Sequence, residues 1–262
     1  MSVERAAALL RGAHAAVALT GAGVSTESGL PDFRSPGGLW AGVDPMRVAS
    51  LTAFRRRPQE FYAFYQTRLS LLRQARPNPA HYALAQLEQA GVLRAVITQN
   101  VDGLHHAAGS QRVLEIHGNL RRAVCPECGW RADIALLEEA LTAGALPRCE
   151  TCGSPLKPDV VLFEELLPLN VFAEAERLCR EADVLLVVGS SLQVTPAASL
   201  PQTVLEHGGL LVIVNREPTP FDPEAAVVLR DAAGTVLPTI AALVAGGLAS
   251  SAEDEQRPPG LS

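Results

Sequence analysis

The sequence predicts an α/β protein, a doubly wound parallel sheet interrupted by two insertions, and three observations carry that prediction. Short runs rich in Val, Leu and Ile alternate with helical patterns along most of the chain. The runs are apolar at successive positions, as strands covered on both faces should be. Two stretches, residues 33–79 and 121–156, break the alternation, and the second holds four of the five cysteines.

Taken in order, the charged N-terminal segment MSVERAAALLRGAHAAVALTGAG reads as a short helix running into a strand, not as an export signal. Strands are expected at 15–20, 94–98, 184–188, 210–214 and 226–229, and helices at 80–90, 169–181 and 197–207. Gly91 closes the first of those helices. Alternation of this kind places helices on both faces of a parallel sheet. The main domain is expected to comprise residues 1–32, 80–120 and 157–248. A small domain is expected from 33–79, where FRRRPQEFYAFYQTRL is patterned as an aromatic helix, together with 121–156. The polar, Pro-containing stretch 249–262 is expected to be disordered.

Charge narrows the function classes. With 22 basic against 28 acidic residues, the net charge of −6 argues against holding nucleic acid by neutralising its phosphates. Arg55, Arg56 and Arg57 form the one local basic cluster and read as a solvated helix end. No run reaches the roughly 18 apolar residues of a membrane span, so no membrane partner is expected and a cytoplasmic location is.

Cysteine spacing points to metal. Cys125-x-x-Cys128 and Cys149-x-x-Cys152 are two thiolate pairs on turns, CPECG and CETCG, that can close a tetrahedral zinc site. Four sulfur ligands leave no open position, so the zinc is expected to be structural. Cys179 sits in the apolar-periodic run VFAEAERLCREAD and reads as a buried, inert thiol. The fold expected is therefore a Rossmann-type doubly wound parallel sheet with a small zinc-binding domain formed by two insertions.

The polar motifs fall at strand ends, where an open α/β sheet binds its ligand. The first strand runs into Gly21-Ala22-Gly23-Val24-Ser25, a turn of the kind that lets backbone approach a pyrophosphate. Thr26 stands where the third glycine of G-x-G-x-x-G would be, so this turn alone fits a plain tight turn as well. The following SGLPDFRS sets Phe33 and Arg34 on a loop able to close over a cofactor. In TQNVDGLH, Gln99, Asn100 and Asp102 supply amide and carboxylate groups suited to a ribose, a carboxamide or an ordered water; Asn and Asp could instead cap the next helix. His117, between the apolar RVLEI and Gly118, is placed for general-base work, the alternative being a hydrogen-bonded core histidine. Gly189, Ser190 and Ser191, then Asn215 and Glu217, follow later strands and suit phosphate and ribose recognition. The β-prone PDVVLF fits either an exposed edge that pairs with a peptide or a buried strand.

Together GAGVSTESGLPDFRS, TQNVDGLHHAAG, LEIHG, CPEC with CETC, KPDVVLF, GSSLQVTPAA and VNREPT resemble the motifs of the sirtuin family, in its order, across residues 15–238. The resemblance implies a large Rossmann-type domain, a small zinc domain, and NAD bound between them as a consumed co-substrate. It implies transfer of an acyl group from a lysine side chain to ADP-ribose with release of nicotinamide, on acylated-lysine protein or peptide substrates. Carried over, Asn100 and Asp102 position the nicotinamide ribose and carboxamide, and His117 is the base that activates a ribose hydroxyl. Gly21, Ala22, Gly23, Phe33, Arg34, Trp40, Gln99, Gly189, Ser190, Ser191, Asn215, Glu217 and Ala233 line the NAD site. Val160, Val161 and Phe163 meet the substrate peptide.

Two positions depart from the pattern. Phe163-Glu164-Glu165 stands where the family has Phe-Gly-Glu, and Asp231 stands where a glycine is common, beside the adenine contact assigned to Ala233. One branch of the family, active on succinyl- and malonyl-lysine, carries Tyr-x-x-Arg on a helix of the small domain, and Tyr65-Gln66-Thr67-Arg68 fits it. Residues i and i+3 share a helix face, so Arg68 could grip an acyl carboxylate with Tyr65 assisting. The alternative has Tyr65 packed and Arg68 solvated. Two other functions remain for such a chain: an NAD-dependent dehydrogenase on the same fold, or a non-catalytic zinc-containing binding protein.

Overall fold

A computed structural model describes residues 2–33 and 35–255. Helix α1 (Ser2–Gly12) leads into strand β1 (Ala16–Thr20), whose five side chains are all buried. A 3-10 turn at Ala22–Ser28 follows, then α2 (Pro45–Val48), α3 (Leu51–Arg56), α4 (Pro58–Gln74) and α5 (Pro79–Gln89). Strand β2 (Leu93–Thr98), helix α6 (Leu104–Ala107) and strand β3 (Val113–Glu115) come next. The cysteines lie among β4 (Gly118–Val124), β5 (Arg131–Asp133), α7 (Ile134–Thr142) and β6 (Lys157–Val160). The chain closes with α8 (Leu169–Glu181), β7 (Val184–Val188), α9 (Leu200–Glu206), β8 (Leu210–Val214), β9 (Val227–Leu229) and α10 (Ala233–Glu255).

Six strands form one sheet in the order β3-β2-β1-β7-β8-β9, parallel throughout. The order reverses between β1 and β7, which is the Rossmann-type switch point where such sheets take ligands. Both faces are covered, which is why the strand sequences are apolar without alternation. On one face Leu10 of α1, Leu84 and Leu87 of α5, and Leu237 and Ile240 of α10 pack on Ala18, Val96 and Leu186. On the other, Leu178 and Cys179 of α8 and Val204 of α9 pack on Leu19, Ile97 and Leu185.

A second, three-stranded sheet has the order β5-β4-β6 and is antiparallel. Phe61, Tyr65 and Leu69 of α4 share a cluster with Leu120 of β4, Leu137 of α7 and Val160 of β6, so material from both insertions meets in one core. This smaller sheet takes in residues 118–120 of β4 and all of β6, which the sequence reading assigned to the main domain.

Several expectations shift in detail. The five predicted strands of the main sheet are present, but its edge strand β3 carries three residues, too few for any periodicity to announce it. Helix α10 extends to Glu255, into the stretch expected to be disordered, and residues 256–262 lie outside the described residues. Among the described residues no helix is long and apolar enough to cross a membrane. Arg55, Arg56 and Arg57 are exposed at the end of α3.

Leu186 is fully buried in β7, between the layers of α1, α5 and α10 and the opposite face. Replacing it with Ala is expected to cost about 2–5 kcal/mol, read as a lower urea midpoint at unchanged m-value; a midpoint equal to wild type would contradict this core assignment.

Candidate functional site

The switch point is built from glycine because two main chains touch there. Gly21 N–H donates to Val188 O at 3.0 Å and Gly23 N–H to Gly189 O at 2.8 Å, stitching the end of β1 to the end of β7. A Cβ on Gly23 would lie 2.7 Å from Gly189 Cα, and one on Gly21 would lie 2.8 Å from Gly189 O. Gly189 also has φ +59°, a left-handed conformation that suits glycine. The glycines seen in the sequence therefore serve a backbone crossing, and the loops above it form the rim of a cleft.

Gln99, just past β2, joins three parts of that rim. Its N–H donates to Thr20 O at 3.0 Å, its Nε2 donates to Ser190 Oγ at 2.9 Å, and its carbonyl receives His117 Nδ1 at 3.0 Å. A carbonyl only accepts, so Nδ1 carries the proton and Nε2 of neutral His117 presents its lone pair. Burial lowers the His117 pKa below its ordinary 6.5, with the Gln99 bond pulling the other way.

Asn100 is buried, with its N–H on Thr98 Oγ1 and its Nδ2 on Ser25 Oγ at 3.0 Å. Its Oδ1 is buried with no hydrogen-bond partner among the described residues. Such an acceptor is costly unless something donates to it. Asp102 accepts Ser25 Oγ–H at 2.7 Å and the Leu104 N–H at 2.9 Å, so it both holds the cluster and caps α6.

Three participants escaped the sequence reading. Ser25 receives Asn100 and donates to Asp102, and His81 Nε2 lies 3.4 Å from the same hydroxyl. His81 Nδ1 accepts the Asn78 N–H in the capping box of α5, which fixes its proton on Nε2. His105 Nε2 bonds Thr20 Oγ1 at 2.9 Å, and Thr20 in turn donates to Thr98 Oγ1 at 2.8 Å. Burial, with His81 and His106 nearby, pushes the His105 pKa down to about 3, so this ring is neutral. The Asn78-x-x-His81 spacing was the one local signal available; His105 had none beyond its motif.

A partly open cavity lies here, lined among others by Ala22, Ser25, Phe33, Arg68, Asn100 and Asp102. Helix α4 delivers Arg68 into it, where the guanidinium lies 5.9 Å from the Phe33 ring centre and 5.8 Å from that of Phe64. No carboxylate forms an ion pair with Arg68 among the described residues, and burial lowers its pKa. Tyr65 is instead packed 4.7 Å from Phe61 and 5.3 Å from Phe64, ring centre to ring centre, and burial pushes its pKa up to about 12. Trp40 stacks on Phe33 and Phe64 and meets the edge of Phe163.

The other predicted positions divide between the edge of the six-stranded sheet and the segment at the end of β6. His117 does not line this cavity but is anchored beside it at Gln99. Asn215 Nδ2 donates to Glu217 O at 2.7 Å, and Arg230 grips the carbonyls of both residues. Ser191 follows Ser190 directly on the β7 loop, and Ala233 opens α10, where Glu27 accepts the Gly234 N–H at 2.8 Å. Val160 is buried at the end of β6, Val161 donates its N–H to His117 O at 2.9 Å, and the Phe163 side chain is 45% exposed. Arg34 lies outside the described residues.

The four paired cysteines converge. Their sulfurs lie within 4.8 Å of one another, with Cys125 to Cys152 at 3.5 Å and Cys128 to Cys149 at 3.6 Å. Four thiolates at about 2.3 Å from a tetrahedral zinc stand about 3.8 Å apart, so the cluster is suited to zinc. Gly129 and Gly153, both left-handed, turn the chain back after each pair. Cys179 is buried in α8, and burial pushes its thiol pKa up to about 12.

A nucleotide-type cleft at a sheet switch point, beside a four-cysteine module, defines the class. The Sir2 family model matches residues 21–196, and the chain belongs to that family. It is 49% identical over 226 residues to an NAD-dependent protein deacetylase of Sulfolobus acidocaldarius, covering 86% of this chain and 88% of the relative. Identity to an NAD-dependent protein deacylase of Pyrococcus furiosus is 47% over 227 residues, covering 86% and 91%. A solved Sir2 structure with a p53 peptide and NAD+ superposes with a TM-score of 0.86 at 38% identity, covering 95% of this chain and all of that one.

Elemental analysis is expected to find one zinc per chain, lost in Cys149→Ser together with a lower thermal midpoint. A metal-free wild type of undiminished midpoint would overturn the zinc assignment.

Proposed function

We propose that this chain is an NAD-dependent protein-lysine deacylase that transfers the acyl group to ADP-ribose and releases nicotinamide. The observation that carries it is the His117 Nδ1 bond to the Gln99 carbonyl, with Nε2 unbonded among the described residues and the next residue, Asn100, holding a buried Oδ1 that has no partner among them. NAD, when bound, supplies the ADP-ribosyl acceptor and the nicotinamide leaving group. Asn100 Oδ1 would take a hydrogen bond from the nicotinamide ribose or carboxamide, the donor it lacks among the described residues. Asp102 holds Ser25 and, through it, Asn100 in place. Once the acyl oxygen has bonded to the anomeric carbon and nicotinamide has left, His117 Nε2 would take the proton of the ribose hydroxyl that attacks the acyl carbon. Phe33 and Trp40 shield the reacting centre from water, as a reactive cationic centre requires.

In the same reading Gly21, Ala22, Gly23, Arg34, Gly189, Ser190, Ser191, Asn215, Glu217 and Ala233 hold the dinucleotide, and Gln99 sets their spacing. Cys125, Cys128, Cys149 and Cys152 hold a structural zinc. Val160, Val161 and Phe163 receive the peptide. The cytoplasm is the working compartment, where reducing conditions keep cysteines as thiols. The dehydrogenase and non-catalytic readings are not favoured, since the curated relatives are named deacetylases and deacylases.

Arg68 extends the reading to the acyl group. A half-buried guanidinium lining the cavity, with Asp102 acting on it only at a distance and no ion pair among the described residues, is matched by a substrate that brings a carboxylate, such as succinyl- or malonyl-lysine. Phe33 and Phe64 flank the guanidinium, while Tyr65, packed in the aromatic core, stands behind Phe64.

Incubation with NAD and acyl-lysine peptides tests the activity: nicotinamide release that depends on both is expected, and its absence would sink the proposal. Because the neutral imidazole is the working form and its pKa lies below 6.5, kcat/KM should rise with pH through a midpoint under that value. His117→Ala should lose the limb and about 100-fold or more of the rate; a midpoint well above 6.5 would point to another base. Arg68→Met should cut succinyl-peptide kcat/KM about 30-fold while sparing acetyl-peptide. Equal loss on both substrates would refute the acyl assignment.

A further inference from the structure

The segment after β6 carries a set of polar contacts that neither the chemistry nor the zinc cluster uses. Glu165 N–H donates to Leu162 O at 3.0 Å, closing a β-turn whose third residue, Glu164, has φ +75°. With φ positive at the third residue alone, the turn follows the type II pattern, which favours glycine there. A glutamate in that conformation is tolerated only where other contacts hold it.

Those contacts are present. Glu164 Oε2 accepts the Thr52 N–H at 2.7 Å, and Glu164 Oε1 accepts Thr52 Oγ1–H at 3.1 Å. The preceding residue joins the same helix start: Phe163 N–H donates to Ala49 O, and Leu51 N–H to Phe163 O, each at 3.0 Å. Ser50 Oγ takes the Ala53 N–H at 2.9 Å. The first three N–H groups of α3 are thus satisfied, two of them by the turn. From beneath, the buried Lys157 ammonium reaches Glu165 Oε2 at 3.0 Å and Val160 O at 2.7 Å. Glu165 Oε2 also accepts the Leu162 N–H at 2.9 Å.

This turn adjoins the residues that the deacylase reading gives to the substrate. Val161, one residue before it, is bonded to the His117 carbonyl. Phe163, inside it, meets Trp40, which stacks on the cavity-lining Phe33.

We propose that Glu164 is a positioning residue for the acylated peptide, its carboxylate latching the Leu162–Glu165 turn to α3 and so fixing Val161 and the Phe163 ring beside the cavity. The inference rests on the deacylase reading above. A side chain that spans two segments orders the peptide edge before the substrate arrives, and that lowers the ordering cost of binding. The effect belongs in peptide affinity, not in the chemical step.

Three variants of the full chain test it: Glu164→Gly, which suits the φ and folds but removes the latch; Glu164→Gln, which keeps an acceptor for Thr52; and Thr52→Val. Glu164→Gly is expected to raise peptide KM about threefold to tenfold, the worth of one or two net hydrogen bonds, with kcat and the NAD KM within about twofold. Glu164→Gln should restore most of the peptide KM, and Thr52→Val should fall between. Amide exchange at Thr52 in the free protein should quicken about tenfold in Glu164→Gly. Unchanged exchange overturns the latch. Faster exchange with an unchanged peptide KM overturns the positioning role, as does an equal rise in the NAD KM. A wild type that releases no nicotinamide with any acyl peptide sinks the deacylase reading and this inference with it; normal wild-type turnover beside an unaltered Glu164→Gly sinks this inference alone.

Discussion

The site depends on what Gln99 does with its three polar groups. Its main-chain N–H holds the end of β1, its side chain holds the end of β7 through Ser190, and its carbonyl fixes the proton position on His117. None of these bonds is strong alone; a typical one contributes about 1 kcal/mol net. Their value lies in being shared by one residue at the point where the strand order reverses. Moving β1 against β7 would move His117, and turning the imidazole over would put its lone pair on the wrong nitrogen. The glycine crossing of Gly21, Gly23 and Gly189 supports this by letting the two strand ends meet at backbone distance.

Electrostatically the cleft divides by side chain. Asp102 supplies negative charge, already committed to Ser25 and the Leu104 N–H. His117 and His105 are held toward neutrality by burial. Arg68 brings a positive charge between two aromatic rings, and such faces attract a guanidinium without neutralising it. A proton acceptor, a hydrogen-bond acceptor and a cation therefore coexist around the cleft without quenching one another.

Much of this was legible in the sequence, for physical reasons that differ by element. Parallel strands buried on both faces must be continuously apolar, so β1, β2, β7, β8 and β9 stood out. Paired C-x-x-C turns have few uses, so the metal cluster stood out too. By contrast β3, β4 and β5 are short or one-sided, and their pairing is set by tertiary contacts that no local pattern carries. Ser25, His81 and His105 act through partners 56 to 85 residues away, and that separation hides them from any window-based reading. Tyr65 and Arg68 show the limit of face-sharing arguments. One helix face carries both, yet Tyr65 ends in the aromatic core and Arg68 in the cavity.

Glu164 illustrates why a residue that departs from a pattern need not damage it. Backbone preference alone disfavours glutamate at φ +75°. Glycine would relieve that strain but would leave the Thr52 N–H and hydroxyl without the carboxylate they donate to. Glutamate accepts a local cost and returns two charge-assisted bonds to a different segment, converting a flexible turn into a crosslink between α3 and the edge after β6. The buried Lys157–Glu165 pair does the same from the other side. Neither contact involves a zinc ligand or a strand of the six-stranded sheet, so both bear on the peptide edge and leave the crossing of β1 and β7 untouched. That separation between a rigid chemical edge and an adjustable substrate edge follows from which elements the insertions supply: α3 and α4 carry Thr52 and Arg68, while the sheet keeps Gln99, Asn100 and Asp102 at its own strand end.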